Sequence, residues 1–346
     1  MAKINHQEIL EYLMHHRGSS STQIKYGLST VTSIATIKRV LVKLSENGFI
    51  TPDGKGKNTT YRLSDSYTVL YPVDLPAYFK KEIDERVIKE IFNFSLMNEV
   101  LTGLSLFTSE EELHLSALQN KFTENTSQLG QTEYNKEMER LAIDLSWKSS
   151  QIEGNTYSLL ETEQLLTERK MAEGKPLADA TMLLNHKEAI NFILQHKDYL
   201  NPLTIRAIED IHSILVKDLS VDRNIRQRRV GISGTNYKPL DNEYLIREAL
   251  EDMCRLINVT KNVFEKSLLC LVLLSYIQAF ADGNKRTARI ASNAILMASD
   301  HCPLSFRTVD PIDYKKAMLL FYEQNNISAI KQLFIQQYEF AVNTYF

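Results

Sequence analysis

Over the first fifty positions, apolar residues recur at helical spacing and the pattern stops at glycines. Asn5–His16 places Ile9, Leu10 and Leu13 on one face, and Gly18–Ser21 breaks the pattern. A short helix over Thr22–Tyr26 ends at Gly27. A longer one, capped by Ser29 or Thr30, turns Ile34, Ile37, Val40, Leu41 and Leu44 inward and ends at Asn47–Gly48. Phe49–Ile50 and Tyr61–Leu63 then read as two strands around the polar loop Asp53–Thr60. The steps Tyr71-Pro72 and Leu75-Pro76 mark Ser64–Pro76 as a linker, because the residue before a proline is driven away from helix. Ala77–Thr126 carries helical patterns with no legible chemistry, expected to pack between modules or to build a homodimer contact.

Further on, Tyr134–Lys148 is an amphipathic helical run. Arg229–Leu240 is β-prone and punctuated by Gly231, Gly234 and Asn236, which predicts a short hairpin amid helices. Leu268–Ile277 is apolar throughout, and at about three turns it is too short to span a membrane. It reads as a buried helix delivering the next loop to a fixed place. Tyr338–Phe346 is expected to be a last helix laid on the core.

The loop so delivered, Gln278–Arg289 (QAFADGNKRTAR), joins an acid, a Gly-Asn turn and three basic residues at a helix start. Backbone N–H groups at a helix N-terminus point at an anion and the helix dipole adds to the attraction, so the array suits a polyphosphate. Arg286 and Arg289, at i and i+3, are able to face one anion.

These residues resemble the signature of Fic-domain proteins, HxFx(D/E)GN(G/K)RxxR, with Phe280, Asp282, Gly283, Asn284, Lys285, Arg286 and Arg289 in place. The resemblance implies an all-helical domain that transfers AMP from ATP to a protein Ser, Thr or Tyr hydroxyl. It makes Asp282 the Mg²⁺ ligand, Gly283, Asn284, Lys285 and Arg286 the nucleotide-binding residues at the phosphates, and Arg289 the γ-phosphate contact. Lys285 stands where Gly is commoner, as in the Doc branch, which transfers phosphate instead. The family's general-base His is here Gln278, a neutral amide unable to take a hydroxyl proton. General-base help is worth about 10²–10⁴ in rate, so binding should survive and transfer should be weakened.

Upstream, Ser149–Gly154 (SSQIEG) resembles the family's inhibitory motif (S/T)xxxE(G/N), with Ser149, Glu153 and Gly154 in register. That likeness implies a Glu153–Arg289 pair excluding the γ-phosphate in cis. Read without it, the segment is a helix C-terminus with Gly154 as cap. Arg229–Leu240 resembles the Fic flap, whose Ile232, Ser233, Gly234 and Thr235 would pair with a target segment. Arg226, Arg228 and Arg229 before it read as a solvated basic cluster.

Residues 1–64 resemble a winged helix-turn-helix and hold nine Lys/Arg against four Asp/Glu, within a chain of net charge −3. Thr32, Ser33, Thr36, Lys38 and Arg39 on the third helix, with Lys55, Lys57 and Asn58 on the wing, are the candidate DNA contacts. A protein-docking role is the alternative.

Composition changes this picture little. A hydrophobic share of 43% and a charged share of 24% are ordinary for a globular chain. Cys254, Cys270 and Cys302 lack metal-ligand spacing and read as reduced core thiols, and no charged-then-apolar leader opens the chain, so the expected location is cytoplasmic. The expected fold is mainly α: a winged helix-turn-helix over 1–64, a helical connector over 65–129, an all-helical Fic domain with inhibitory helix and hairpin flap over 130–300, and trailing helices over 301–346. Three functions remain: an adenylyltransferase held off by Glu153, a silent nucleotide-binding transcriptional regulator, and a Doc-like phosphotransferase.

Overall fold

A computed structural model describes residues 6–346, apart from the side chains of Gln7 and Lys57. It separates into two compact units, one reaching to Pro72 and one running from Val73 to Phe346. Of the first expected helix, Asn5 lies outside the described residues.

The first unit runs α1 (His6–His15), β1 (Ser19–Ser20), α2 (Ser21–Gly27), α3 (Ile34–Glu46), β2 (Ile50–Asp53), β3 (Thr60–Leu63) and α4 (Asp65–Leu70). Its three strands pair antiparallel in the order β1-β3-β2, with Ile50 opposite Leu63 and Ser19 opposite Tyr61. The apolar stripe read from sequence is the core here: Ile9, Leu10, Leu13, Ile24, Ile37, Leu41, Leu44 and Ile50 are buried together. Gly27 is needed where α2 meets α1, since a Cβ there would fall 1.9 Å from Cε2 of Tyr12.

Three expectations are corrected in these regions. The cap of α3 is Ser33, whose Oγ accepts from the N–H of Thr36 at 3.1 Å, not Ser29 or Thr30. Those two are held elsewhere: the Ser29 and Thr30 hydroxyls and the Thr30 N–H all donate to the Glu8 carboxylate. Ser19 and Ser20 within the expected break form β1, because β3 offers them a free edge. The expected linker is largely helical, because Ser64 caps α4 and Asp74 caps α5 (Leu75–Phe79), which starts with its proline inside the first turn.

The second unit continues with α6 (Ser109–Gln128), α7 (Gln131–Ile152), α8 (Leu159–Glu168), α9 (Leu177–Gln195), α10 (Ile205–Leu215), α11 (Glu243–Val259), α12 (Val263–Ile277), α13 (Asn284–Ala298), α14 (Pro311–Gln324) and α15 (Ser328–Tyr345). The apolar run seen in sequence is the second half of α12, which is buried on every side. Helices hydrophobic all round belong at the centre of a bundle. There α12 lies along α13, and the Ser267 hydroxyl donates to the Ser292 carbonyl where the small side chains let the two come close. Helices α7, α9 and α10 pack against the other faces of α13. The segment expected as a hairpin reverses at Ser233–Gly234 and contributes one parallel bridge, Lys238 with Ile91. Among the described residues no helix is long and apolar enough to cross a membrane.

Candidate functional site

Helix α12 ends at Gln278 in a left-handed conformation (φ 53°), and Gly283 (φ 81°) opens α13 five residues later. The intervening turn is closed by Asn284. Its Oδ1 accepts from the Phe280 N–H at 2.8 Å, while its Nδ2 donates to the Phe280 carbonyl at 2.8 Å and to Gln278 Oε1 at 3.2 Å. The Asn284 side chain, expected at a phosphate, is thus spent shaping the loop, and what the loop offers an anion is backbone. Gly283 is required by sterics as well as φ: a Cβ there would lie 3.2 Å from Val216 and 3.3 Å from the His212 ring. That ring stacks on Phe280 at 3.6 Å and its Nε2 lies 2.9 Å from the Asp282 carbonyl. Burial lowers the His212 pKa; Nδ1 faces the Arg223 carbonyl at 3.3 Å, so a neutral ring donates to one of the two carbonyls.

Both polar groups of the Gln278 side chain are engaged. Its Nε2 donates to the Ser275 carbonyl at 2.6 Å and its Oε1 accepts from Asn284. Arg226, read from sequence as part of a solvated cluster, is buried instead, at 4% exposure. Its Nε donates to the Gln278 carbonyl at 2.6 Å, its Nη1 to the Arg228 carbonyl at 2.8 Å, and its N–H to the Ala279 carbonyl at 3.0 Å. The Gln278 carbonyl at the left-handed turn takes the guanidinium, a long-range demand that one-dimensional charge patterning does not reveal.

The motif cations split by depth. Arg289 is fully buried, Arg286 is 2% exposed, and Lys285 lies at the groove mouth. Arg286 bonds the Asp282 carboxylate at 3.1 Å, and that carboxylate's side chain is 67% exposed. Arg289 reaches α7: Nε donates to Ser149 Oγ at 2.8 Å, Nη2 to the Ser149 carbonyl at 2.9 Å and to Glu153 Oε1 at 2.8 Å. Glu153 Oε2 meets Lys285 Nζ at 2.8 Å. Burial alone would push the Glu153 carboxyl up, but Arg289 and Lys285 outweigh it and hold it at about 2. Gly154 (φ 95°) follows as the left-handed residue ending α7, so the helix-cap reading and the ion-pair reading hold together.

Two residues absent from the sequence reading complete this layer. His186 on α9 sits 2.7 Å from Ser149 Oγ, with its pKa driven well down by burial and then by Arg289 and Arg286. Tyr314 on α14 lies under the Arg289 guanidinium at 5.2 Å. Neither carries a local signal, because each comes from a distant helix.

A groove of about 340 Å³ opens over the start of α13. Glu153, Gln278, Asp282–Lys285, the flap residues Val230–Ser233 and the α14 residues Tyr314, Lys315, Met318, Leu319 and Tyr322 line it. Ile232 and Ser233 therefore face the groove, whereas Gly234 (φ 92°) gives its carbonyl to Arg86 and Thr235 Oγ1 accepts from the Tyr237 N–H. In the first unit, Lys38, Arg39 and Lys55 are exposed, Thr32 and Thr36 are half-buried, and Ser33 is the α3 cap. The side chain of Lys57 lies outside the described residues.

The donor set suits a magnesium–triphosphate. No side chain caps α13, so an incoming phosphate oxygen would meet free backbone N–H donors where Gly283–Lys285 line the groove. Asp282 is one exposed carboxylate, and Mg²⁺ is commonly held by one or two carboxylates together with substrate phosphates and water. Among the described residues no cluster of three or more metal-ligating groups provides an all-protein cage.

A profile of the Fic/DOC family matches residues 202–296, a span that includes Gln278–Arg289 but not Glu153. The chain is 27% identical over 160 residues to protein adenylyltransferase fic-1 of Caenorhabditis elegans, covering 44% of this chain and 31% of that protein. It is 27% identical over 175 residues to protein adenylyltransferase Fic of Nematostella vectensis, covering 49% and 40%. The chain thus spans well under half the length of these relatives. In fold it is similar to a Fic-1 fragment of C. elegans (TM-score 0.60, 20% identity, covering 68% of this chain and 72% of that one). It is also similar to a Fic domain-containing signaling protein of Bacteroides thetaiotaomicron (TM-score 0.57, 19% identity, 67% and 96%).

Proposed function

From the Fic/DOC domain that residues 202–296 carry, we propose a protein adenylyltransferase site that is closed by Glu153 and weakened by Gln278. The substrates are ATP and a partner protein presenting a Ser, Thr or Tyr hydroxyl. Asp282 would hold Mg²⁺, which supplies charge neutralisation at the phosphates. The α13 N-terminus and Arg286 would hold the phosphates, Arg289 the terminal one, and the Val230–Ser233 arm the target segment.

In the transfer, the target oxygen bonds to the α-phosphorus, pyrophosphate leaves, and the hydroxyl proton needs an acceptor. Gln278 offers none, since its side chain is a neutral amide that does not take up a proton at working pH. The observation that carries the closed-state reading is Glu153 lying between Arg289 and Lys285, on the cations a triphosphate needs. Seating the terminal phosphate would require that carboxylate to leave.

The test is incubation with α-labelled ATP and Mg²⁺ of the chain as it stands and of Gln278→His, each with and without Glu153→Gly. Label expected only with the restored His, and most with both changes, supports the reading. No label in the double variant sinks it. Label in the Gln278 form overturns the proton argument. The tied-up Gln278 side chain also favours the second reading, a nucleotide-binding regulator without transfer, for which the first unit's Lys38, Arg39 and Lys55 supply candidate DNA phosphate contacts. Label from γ-labelled rather than α-labelled ATP would point to Doc-like phosphotransfer through Lys285.

A further inference from the structure

The connector ahead of α6 runs along the far arm of the flap. Asn236 Nδ2 donates to Asp84 Oδ1 at 3.0 Å, the Lys238 N–H to the Glu90 carbonyl at 2.7 Å, and Ile91 bridges Lys238 in parallel. The Lys238 ammonium adds an ion pair to Glu90 at 2.8 Å. Between these contacts, Arg86 Nη2 donates to the Gly234 carbonyl at 2.8 Å, at the turn of the flap.

Arg86 is not a surface arginine that happens to reach. Its side chain is 3% exposed and its Nη1 lies 3.0 Å from Oε1 of Glu323 on α14, which is fully buried. The Tyr78 hydroxyl donates to the other Glu323 oxygen at 2.6 Å, and the guanidinium lies over the Phe79 ring at 5.0 Å. Buried ion pairs add little net stability against apolar replacements of the same shape, so this one asks for another reason to exist. A planar fork with one arm on a fixed carboxylate and the other on a loop carbonyl sets the height of that loop.

We propose that Arg86 is a positioning residue for the flap. The stretch from Arg86 to Ile91, joined to Lys238 by one parallel bridge, covers the Asn236–Lys238 side of the flap, Arg86 fixes Gly234 against α14, and the Val230–Ser233 edge is left for an incoming segment. The use of that free edge rests on the adenylyltransferase reading; the clasp does not.

The test is amide hydrogen exchange by mass spectrometry on the full chain, with Arg86→Ala and Arg86→Lys. Lysine keeps the charge opposite Glu323 but lacks the fork to the Gly234 carbonyl. Both variants are expected to speed exchange over residues 231–238 by about tenfold or more while amides of α13 change less than about twofold. Arg86→Lys should melt near the parent chain even if Arg86→Ala does not fold. MgATP affinity in a Glu153→Gly background should move less than about twofold with Arg86→Lys, because Arg86 bonds Gly234 and Glu323 and none of the residues proposed to hold the nucleotide. Unchanged flap exchange in Arg86→Lys, or acceleration spread equally over α12 and α13, overturns the clasp. A chain that never transfers AMP leaves the exchange result, and so the clasp, standing.

Discussion

Oε1 of Glu153 lies 2.8 Å from Nη2 of Arg289, and Oε2 lies 2.8 Å from Nζ of Lys285. One carboxylate therefore joins a fully buried cation to one at the groove mouth. Glu153→Gly frees both for phosphate, and with charged hydrogen bonds worth about 1.5–3 kcal/mol, MgATP affinity should rise by about ten- to a hundredfold. Lys285→Ala removes a tie on Glu153 together with a phosphate partner, so the affinity should shift less than about threefold. Isothermal titration of both variants checks this, and equal affinity in the parent chain and Glu153→Gly would remove the closed-state argument.

Mild acid should not open this contact. The Glu153 carboxyl is held at about 2, below its ordinary value, so its contribution to stability is present in full above about pH 4.5 and is lost progressively as pH falls from there through about 2, where the contact itself protonates. Buried and half-buried histidines act at higher pH. His186, His212 and His301 all have lowered pKa values, chiefly through burial, so the stability from keeping them neutral is present above about pH 6.5 and declines below it. Urea unfolding at a series of pH values should show stability falling by up to about 1.4 kcal/mol per pH unit for each of the fully buried His186 and His212. His186→Gln should flatten that slope, whereas Glu153→Gln should leave it unchanged between pH 7 and 5.

Arg226→Ala should cost about 2–4 kcal/mol in chemical denaturation, since it leaves the Gln278 and Arg228 carbonyls without this donor and opens a void. A surface arginine would cost within about 0.5 kcal/mol. A loss that small would return Arg226 to the solvated cluster.

In the first unit, structure and recognition should separate. Ser33→Ala removes the α3 cap and should cost about 1 kcal/mol while leaving the salt dependence of duplex binding unchanged. Lys38→Ala and Arg39→Ala should each lower the slope of log K against log salt by about 1. Fluorescence anisotropy with a duplex across a salt series checks both; no binding in the parent chain at low salt would favour protein docking instead.

What the sequence by itself determined was what is written locally. The stripe Ile9, Leu13, Ile37, Leu41, Leu44 specified a buried helix face. The all-apolar second half of α12 specified a central helix, and Gly283 after Asp282 specified the start of α13. The match of Ser149 and Glu153 to a spaced motif pointed to Arg289, and the two lie in contact. Tertiary structure decided which polar groups had partners. Ser29 and Thr30 went to Glu8 and left the cap to Ser33; Arg226 went under Gln278; Arg86 went between Glu323 and Gly234. A buried polar group must be satisfied by whichever complementary group the fold brings near. That partner's distance along the chain, 237 residues for Arg86 and Glu323, leaves no periodicity or motif to read.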